Sequence, residues 1–146
     1  MLNAFYDLAV SPPTFDFIVF LVSAERRRIE LGEDQLRIII VPGPDHGFRA
    51  DQLPPRDPKV RARMLKKIVF KLCDFLPSCA SVEECKDRFS AQQYKTGPVF
   101  PEGYDERNPF AHYGSLYTFG AVKAGCIPLS SGTPVKANDR LITITL

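Results

Sequence analysis

The stretch Leu36-Arg37-Ile38-Ile39-Ile40-Val41 decides the fold. It is a continuous β-branched run, the pattern of a strand buried on both faces of a parallel sheet. Upstream, residues 4–10 (Ala-Phe-Tyr-Asp-Leu-Ala-Val) read as a second short buried strand that stops at Ser11-Pro12-Pro13-Thr14. Between the two strands, Thr14 or Ser11 can cap a helix over 14–31. Its first turns are almost wholly apolar (Phe17, Ile18, Phe20, Leu21, Val22, Ala24); it then becomes charged through Glu25, Arg26, Arg27, Arg28 and Glu30 and stops at Gly32. Arginines in a last turn suit the helix dipole, so they have a structural explanation. Strand, helix and strand in succession make a βαβ unit, and its two strands are expected to lie side by side and parallel.

Downstream, Pro42-Gly43-Pro44-Asp45-His46-Gly47-Phe48-Arg49 and then Leu53-Pro54-Pro55 predict a long loop stiffened by proline. Asp57-Pro58 is the strongest helix start in the chain, an aspartate cap with proline in the first helical position. Val60, Met64, Leu65, Ile68, Val69, Leu72 and Leu76 recur at helical spacing, which predicts a helix over 58–76 with one buried face. The other face carries Lys59, Arg61, Arg63, Lys66, Lys67 and Lys71. A solvated face is the ordinary reading of such a stripe; an anionic partner, including peripheral membrane contact, is the other. No aromatic residue interleaves these cations, which disfavours single-stranded nucleic acid.

Residues 79–85 are a weak third strand, and Asp87 can cap a short helix through Tyr94. Residues 97–105 read as a second long loop, 113–124 as a helix ending at Gly125, and 141–146 as an alternating strand. The fold class expected is α/β, a parallel sheet flanked by helices. The terminal strand pattern, following Ser-Ser-Gly-Thr-Pro, is read as the opening of something larger. The domain division expected is therefore 1–128, with 129–146 as a connection and the first strand of a missing second domain.

Composition narrows the classes. The 146 residues are 45% hydrophobic and 25% charged, as in globular domains, and the net charge of +2 advertises neither nucleic acid nor membrane. Proline, 13 of 146, is about twice its usual share and falls in the loops. The longest apolar run, Phe17 to Val22, is far short of the ~20 residues that span a bilayer. With no leader pattern in the opening residues, the expected location is the cytoplasm. Cys73, Cys79, Cys85 and Cys126 form no C-x-x-C pair and lie far from His46 and His112, so no metal site is expected. Cys73, Cys79 and Cys85 are expected to pack together around one helix-to-strand connection.

Ligands of open parallel sheets bind beyond the carboxyl ends of the strands. That rule selects Ser11 to Thr14, where free amides at a helix start could hold an anion. It also selects Gly43 to Arg49, where His46 could act as a general base and Arg49 could fix a phosphate or carboxylate, and Lys86 to Arg88. Glu102, Tyr104 and Asp105 form a further constellation. No G-x-G-x-x-G, Walker or G-x-S-x-G sequence is present, so no nucleotide cofactor is called for.

The segments 5–17, Ile39-Ile40-Val41-Pro42-Gly43-Pro44, Gly47-Phe48-Arg49, Leu76-Pro77-Ser78-Cys79, Val99 to Asp105 and Ile142 to Leu146 together resemble a group of bacterial glycosyltransferase-like proteins. The resemblance implies a GT-B architecture, two Rossmann-like halves facing a cleft, with this chain as the N-terminal, acceptor-side half. It implies transfer of a sugar from a nucleotide-sugar to a cell-surface polysaccharide or related acceptor, without a metal, in agreement with the lack of a D-x-D motif. By analogy Asp16 or His46 would be the base; the residues expected to contact substrate, from the rim segments and the loop constellation above, are Ser11, Thr14, Gly43, Arg49, Glu102 and Tyr104. The donor site would lie in the missing C-terminal domain, and the chain alone would be inactive. The alternatives are a non-catalytic α/β domain that binds a sugar or nucleotide, and a scaffold half-domain.

Overall fold

A computed structural model of the chain describes residues 1–50 and 57–112. Strand β1 (Leu2–Asp7) lies inside a four-stranded sheet of order β3-β2-β1-β4, with β2 at Leu36–Val41, β3 at Cys79–Glu84 and β4 at Val99–Phe100. Every pairing is parallel: Leu2 to Asp7 run residue for residue beside Leu36 to Val41, and Asn3 and Ala4 meet Val99 and Phe100 on the other side. The chain is thus an α/β fold with a Rossmann-like parallel sheet flanked by helices.

Both central strands lack alternation because both of their faces are covered. On one face Tyr6, Ile38 and Ile40 pack under Phe17, Phe20 and Ala24 of helix α1 (Phe17–Glu30) and under Leu65, Val69 and Cys73 of the second helical segment. On the other, Phe5, Ile39 and Val41 lie under Ala91 and Tyr104, in a thinner layer made by the 3-10 turn Phe89–Tyr94 and the chain after β4.

Several boundaries differ from expectation. The strand expected over 4–10 runs from Leu2 to Asp7; residues 8–10 fold into a turn in which the amides of Val10 and Ser11 both donate to the Asp7 carbonyl. Helix α1 starts at Phe17 behind Asp16, with no side-chain cap from Ser11 or Thr14. The short helix after Asp87 is a 3-10 turn, and its Ser90 amide donates to Asp87 Oδ1 at 2.8 Å. Strand β4 falls inside the segment read as loop, because two residues between prolines leave no periodic pattern. The helix over 113–124, the strand over 141–146, the 1–128/129–146 division and Cys126 lie outside the described residues.

The helix beginning at Asp57-Pro58 is capped as expected, with Asp57 Oδ1 accepting from the Lys59 amide at 2.8 Å. It runs as α2 (Pro58–Met64), a π turn (Leu65–Val69) and α3 (Phe70–Asp74). Its most buried residues, Arg61, Leu65, Val69 and Cys73, stand four apart. On a 3.6-residue helix such a stripe drifts by about 40° per step, and the wider π turn absorbs part of that drift. Two assignments change as a result. Arg61, placed on the basic face by its charge, is buried, and Val60, placed on the apolar face, is exposed. The basic face is also less open than its sequence suggests, since Lys66 pairs with Glu84 and Lys71 with Asp74. The cysteines divide between layers: Cys73 and Cys79 pack on the helical side, whereas Cys85 joins the opposite face. No helix among the described residues is long and apolar enough to cross a membrane.

Candidate functional site

The sheet grows from β1 through β2 to β3, and β4 then returns to the other side of β1. A crevice outside the carboxyl ends of β1 and β4 is the ordinary ligand position of such a sheet. Here the chain's own side chains fill it. Asp7, buried at the end of β1, accepts from Arg88 Nη1 at 2.7 Å and Nη2 at 2.8 Å, from the Tyr104 hydroxyl at 2.6 Å and from the Ala9 amide at 2.9 Å. Arg88 also donates to the carbonyls of Pro42 and Glu106, so one guanidinium ties the end of β1 to the chain after β2 and after β4. The Asp7 carboxylate raises the Arg88 guanidinium above its ordinary value. Burial, and then the neighbouring Asp7 charge, push the Tyr104 hydroxyl far above 10 and keep it a donor. Tyr104 also stacks on Phe5 with ring centroids 4.5 Å apart.

Beyond β2 the first part of the expected long loop, 43–48, is a tight hairpin; residues 51–56 lie outside the described residues. The Gly43 amide donates to the Gly47 carbonyl, and Asp45 and Phe48 exchange both backbone hydrogen bonds across His46 and Gly47. Both central residues have positive φ, 49° at His46 and 87° at Gly47, as a type I′ hairpin turn requires. Gly43 lets the hairpin lie against the turn after β1: a Cβ there would stand 2.4 Å from the Phe48 backbone and 2.6 Å from the Leu8 carbonyl oxygen. Arg61 fastens the hairpin from behind. It donates to Asp45 Oδ2 at 2.7 Å and to the Arg49 carbonyl at 2.8 Å, and its guanidinium lies 5.1 Å from the Phe48 ring centroid. The hydrogen bond from Arg61 holds the Asp45 carboxyl below its ordinary range.

Between this hairpin, the π turn and the end of β3 opens a cleft of about 200 Å³. Leu8, Ile40, Phe48 and Leu65 contribute its apolar lining, and His46, Lys66, Glu84 and Cys85 its polar groups. Burial raises the Cys85 thiol to about 11, so it is not a thiolate nucleophile at neutral pH.

The residues selected from sequence separate into distinct places. His46, with its side chain 73% exposed, and Gly43 belong to the hairpin. Arg49 follows the hairpin and reaches the Val10 carbonyl at 3.5 Å, which joins the two rim segments. Ser11 is buried, and Thr14 donates to the exposed Asp16 at 3.1 Å. The amides of Phe17, Ile18 and Val19 donate to Thr14, Phe15 and Asp16, so the anion site expected from free amides at this helix start is already occupied by backbone. Glu102 is exposed and pairs with Arg27 at 3.2 Å, while Tyr104 is in the core on Asp7. Asp7 and Glu84 were not singled out from sequence, and Arg61 and Lys66 were read only as members of the basic face. Asp7 carried a signal, since a carboxylate within an apolar strand demands a buried partner.

No protein-family model matches the chain, and no curated protein and no solved structure matches it.

Proposed function

We propose that this chain is the acceptor-binding, N-terminal half of a GT-B-type glycosyltransferase-like protein that transfers sugar from a nucleotide-sugar to a cell-surface polysaccharide or related acceptor. The observation that carries the reading is the cleft at the carboxyl edge of a parallel sheet, rimmed by the exposed imidazole of His46. A base so placed takes the proton of an acceptor hydroxyl as its oxygen bonds to the anomeric carbon, and the bond from that carbon to the nucleoside diphosphate breaks. Asp16, exposed on the segment before α1, is the second carboxyl-edge base. The donor would be held by a second Rossmann-like half.

Transfer requires donor and acceptor to be held together, so the chain alone should bind saccharides without turning over. The test is calorimetric titration of the 146-residue chain with neutral oligosaccharides and with nucleoside diphosphates, alongside a transfer assay. Saccharide binding without transfer supports the reading. Transfer by this chain alone would contradict the half-site assignment, and selective binding of nucleoside diphosphates would favour a nucleotide-binding domain.

A further inference from the structure

We propose that the cleft between the 43–48 hairpin, the π turn and the end of β3 is a subsite for one neutral pyranose unit. The inference rests on the acceptor-side reading above and gives that side a definite ligand position and chemistry.

Size sets the first limit. About 200 Å³ is of the same order as the ~150 Å³ cavity that takes up a benzene ring, so the cleft has room for one ring, and any further unit of a glycan would lie outside it. The lining sets the second. Leu8 and Ile40 from the strand ends, with Phe48 and Leu65, offer an apolar surface suited to the C–H face of a sugar ring.

Charge decides between a neutral and an ionic ligand. The charged pair of the cleft, Lys66 Nζ and Glu84 Oε2, stands 3.0 Å apart, and both side chains are solvent-exposed. Their charges cancel, so a phosphate or carboxylate would have to displace Glu84, and an amine would have to displace Lys66. A hydroxyl displaces neither, because it accepts from the ammonium and donates to the carboxylate at once. Two neighbouring hydroxyls can therefore join the pair from the cleft side, one accepting from another ammonium proton and the other donating to the carboxylate, which adds a charge-assisted hydrogen bond at each charge. His46 lines the same cleft, which brings an acceptor hydroxyl within the neighbourhood of the imidazole.

The experiment is NMR on the 146-residue chain, following the methyls of Leu8, Ile40 and Leu65 together with the backbone amides of the whole chain. The probes are methyl β-glucopyranoside, methyl β-galactopyranoside and methyl α-mannopyranoside, with inorganic phosphate and cyclohexanecarboxylate as the anionic comparison. At least one glycoside should shift these methyls saturably. Lys66→Met and Glu84→Gln should each weaken that binding by about ten-fold or more, the loss of one charge-assisted hydrogen bond. Ala62→Leu, which narrows the cleft without touching either charge, should abolish it. The unliganded spectrum of each variant reports whether it folds. Saturation by phosphate or by the carboxylate in place of the glycosides would overturn the proposal, as would glycoside binding indifferent to all three variants. Glycoside shifts confined to Ser11–Thr14 or Glu102 would overturn the subsite and leave the acceptor-side reading standing. Failure of every glycoside to bind anywhere on the chain would overturn both.

Discussion

Asp7 ends a strand in which all six residues are buried, and its carboxyl group accepts two guanidinium hydrogen bonds, one from a tyrosine hydroxyl and one from a backbone amide. Arg88→Met removes the charged partner and strands a buried carboxylate. The expected loss is about 3 kcal/mol, at the lower end for a broken buried pair because Arg88 keeps 28% exposure. Tyr104→Phe removes one hydrogen bond to that charge and should cost about 1.5–3 kcal/mol; urea unfolding measures both. Gly43→Ala drives a methyl against the backbone of Phe48 and Leu8, for which about 1–3 kcal/mol is expected by the same measurement. Glu106 contributes to the acid limb, as do Asp45 and Asp87, which are also held below their ordinary range. Burial alone would raise Glu106, but hydrogen bonds from Lys95 and Gln92 prevail and hold it at about 2. Because the folded value lies below the ordinary 4.5, its contribution is complete above about 4.5 and disappears as pH falls from there through about 2. Glu106→Gln should therefore flatten the stability profile in that window. At this scale the carboxyl-end rule selected the segment Lys86 to Arg88, but nothing in the sequence paired Arg88 with Asp7.

Among the elements, those with strong local chemistry were legible. Asp57-Pro58 announced its helix, and the β-branched run of β2 fell where its pattern put it. The helix interior was harder to read, because apolar residues at several spacings suggested one face while packing used the 61, 65, 69, 73 stripe. Arg61 sits on that stripe because its guanidinium finds Asp45, the Arg49 carbonyl and the Phe48 ring, contacts that exist only after the hairpin has docked. Arg61→Leu keeps a buried side chain but releases the hairpin. Amide exchange at Asp45 and Phe48 should quicken by about ten-fold or more, with β2 unchanged, as hydrogen-exchange mass spectrometry or NMR can show.

For the molecule as a whole, alternation of strands and helices was enough to establish a parallel α/β sheet. The return of the chain to β1 was not legible, because β4 contributes two residues and its pairing is long-range. That return decides the functional geography: the crevice between β1 and β4 closes on Asp7, and the open cleft lies over β2 and β3. In a protein carrying both halves of the proposed transferase, His46→Ala should lower turnover by about 10²-fold, read from initial rates at saturating donor. The position of β4 also has a consequence for biosynthesis. Asn3 pairs with Val99, so one edge of β1 stays unpaired until the ribosome has made almost the whole sheet. At ~5–20 residues per second that interval lasts roughly 5–20 seconds, during which an apolar strand edge is open to other nascent chains. A sheet that closes around its first strand last is therefore expected to gain yield during translation from a chaperone that shields strand edges.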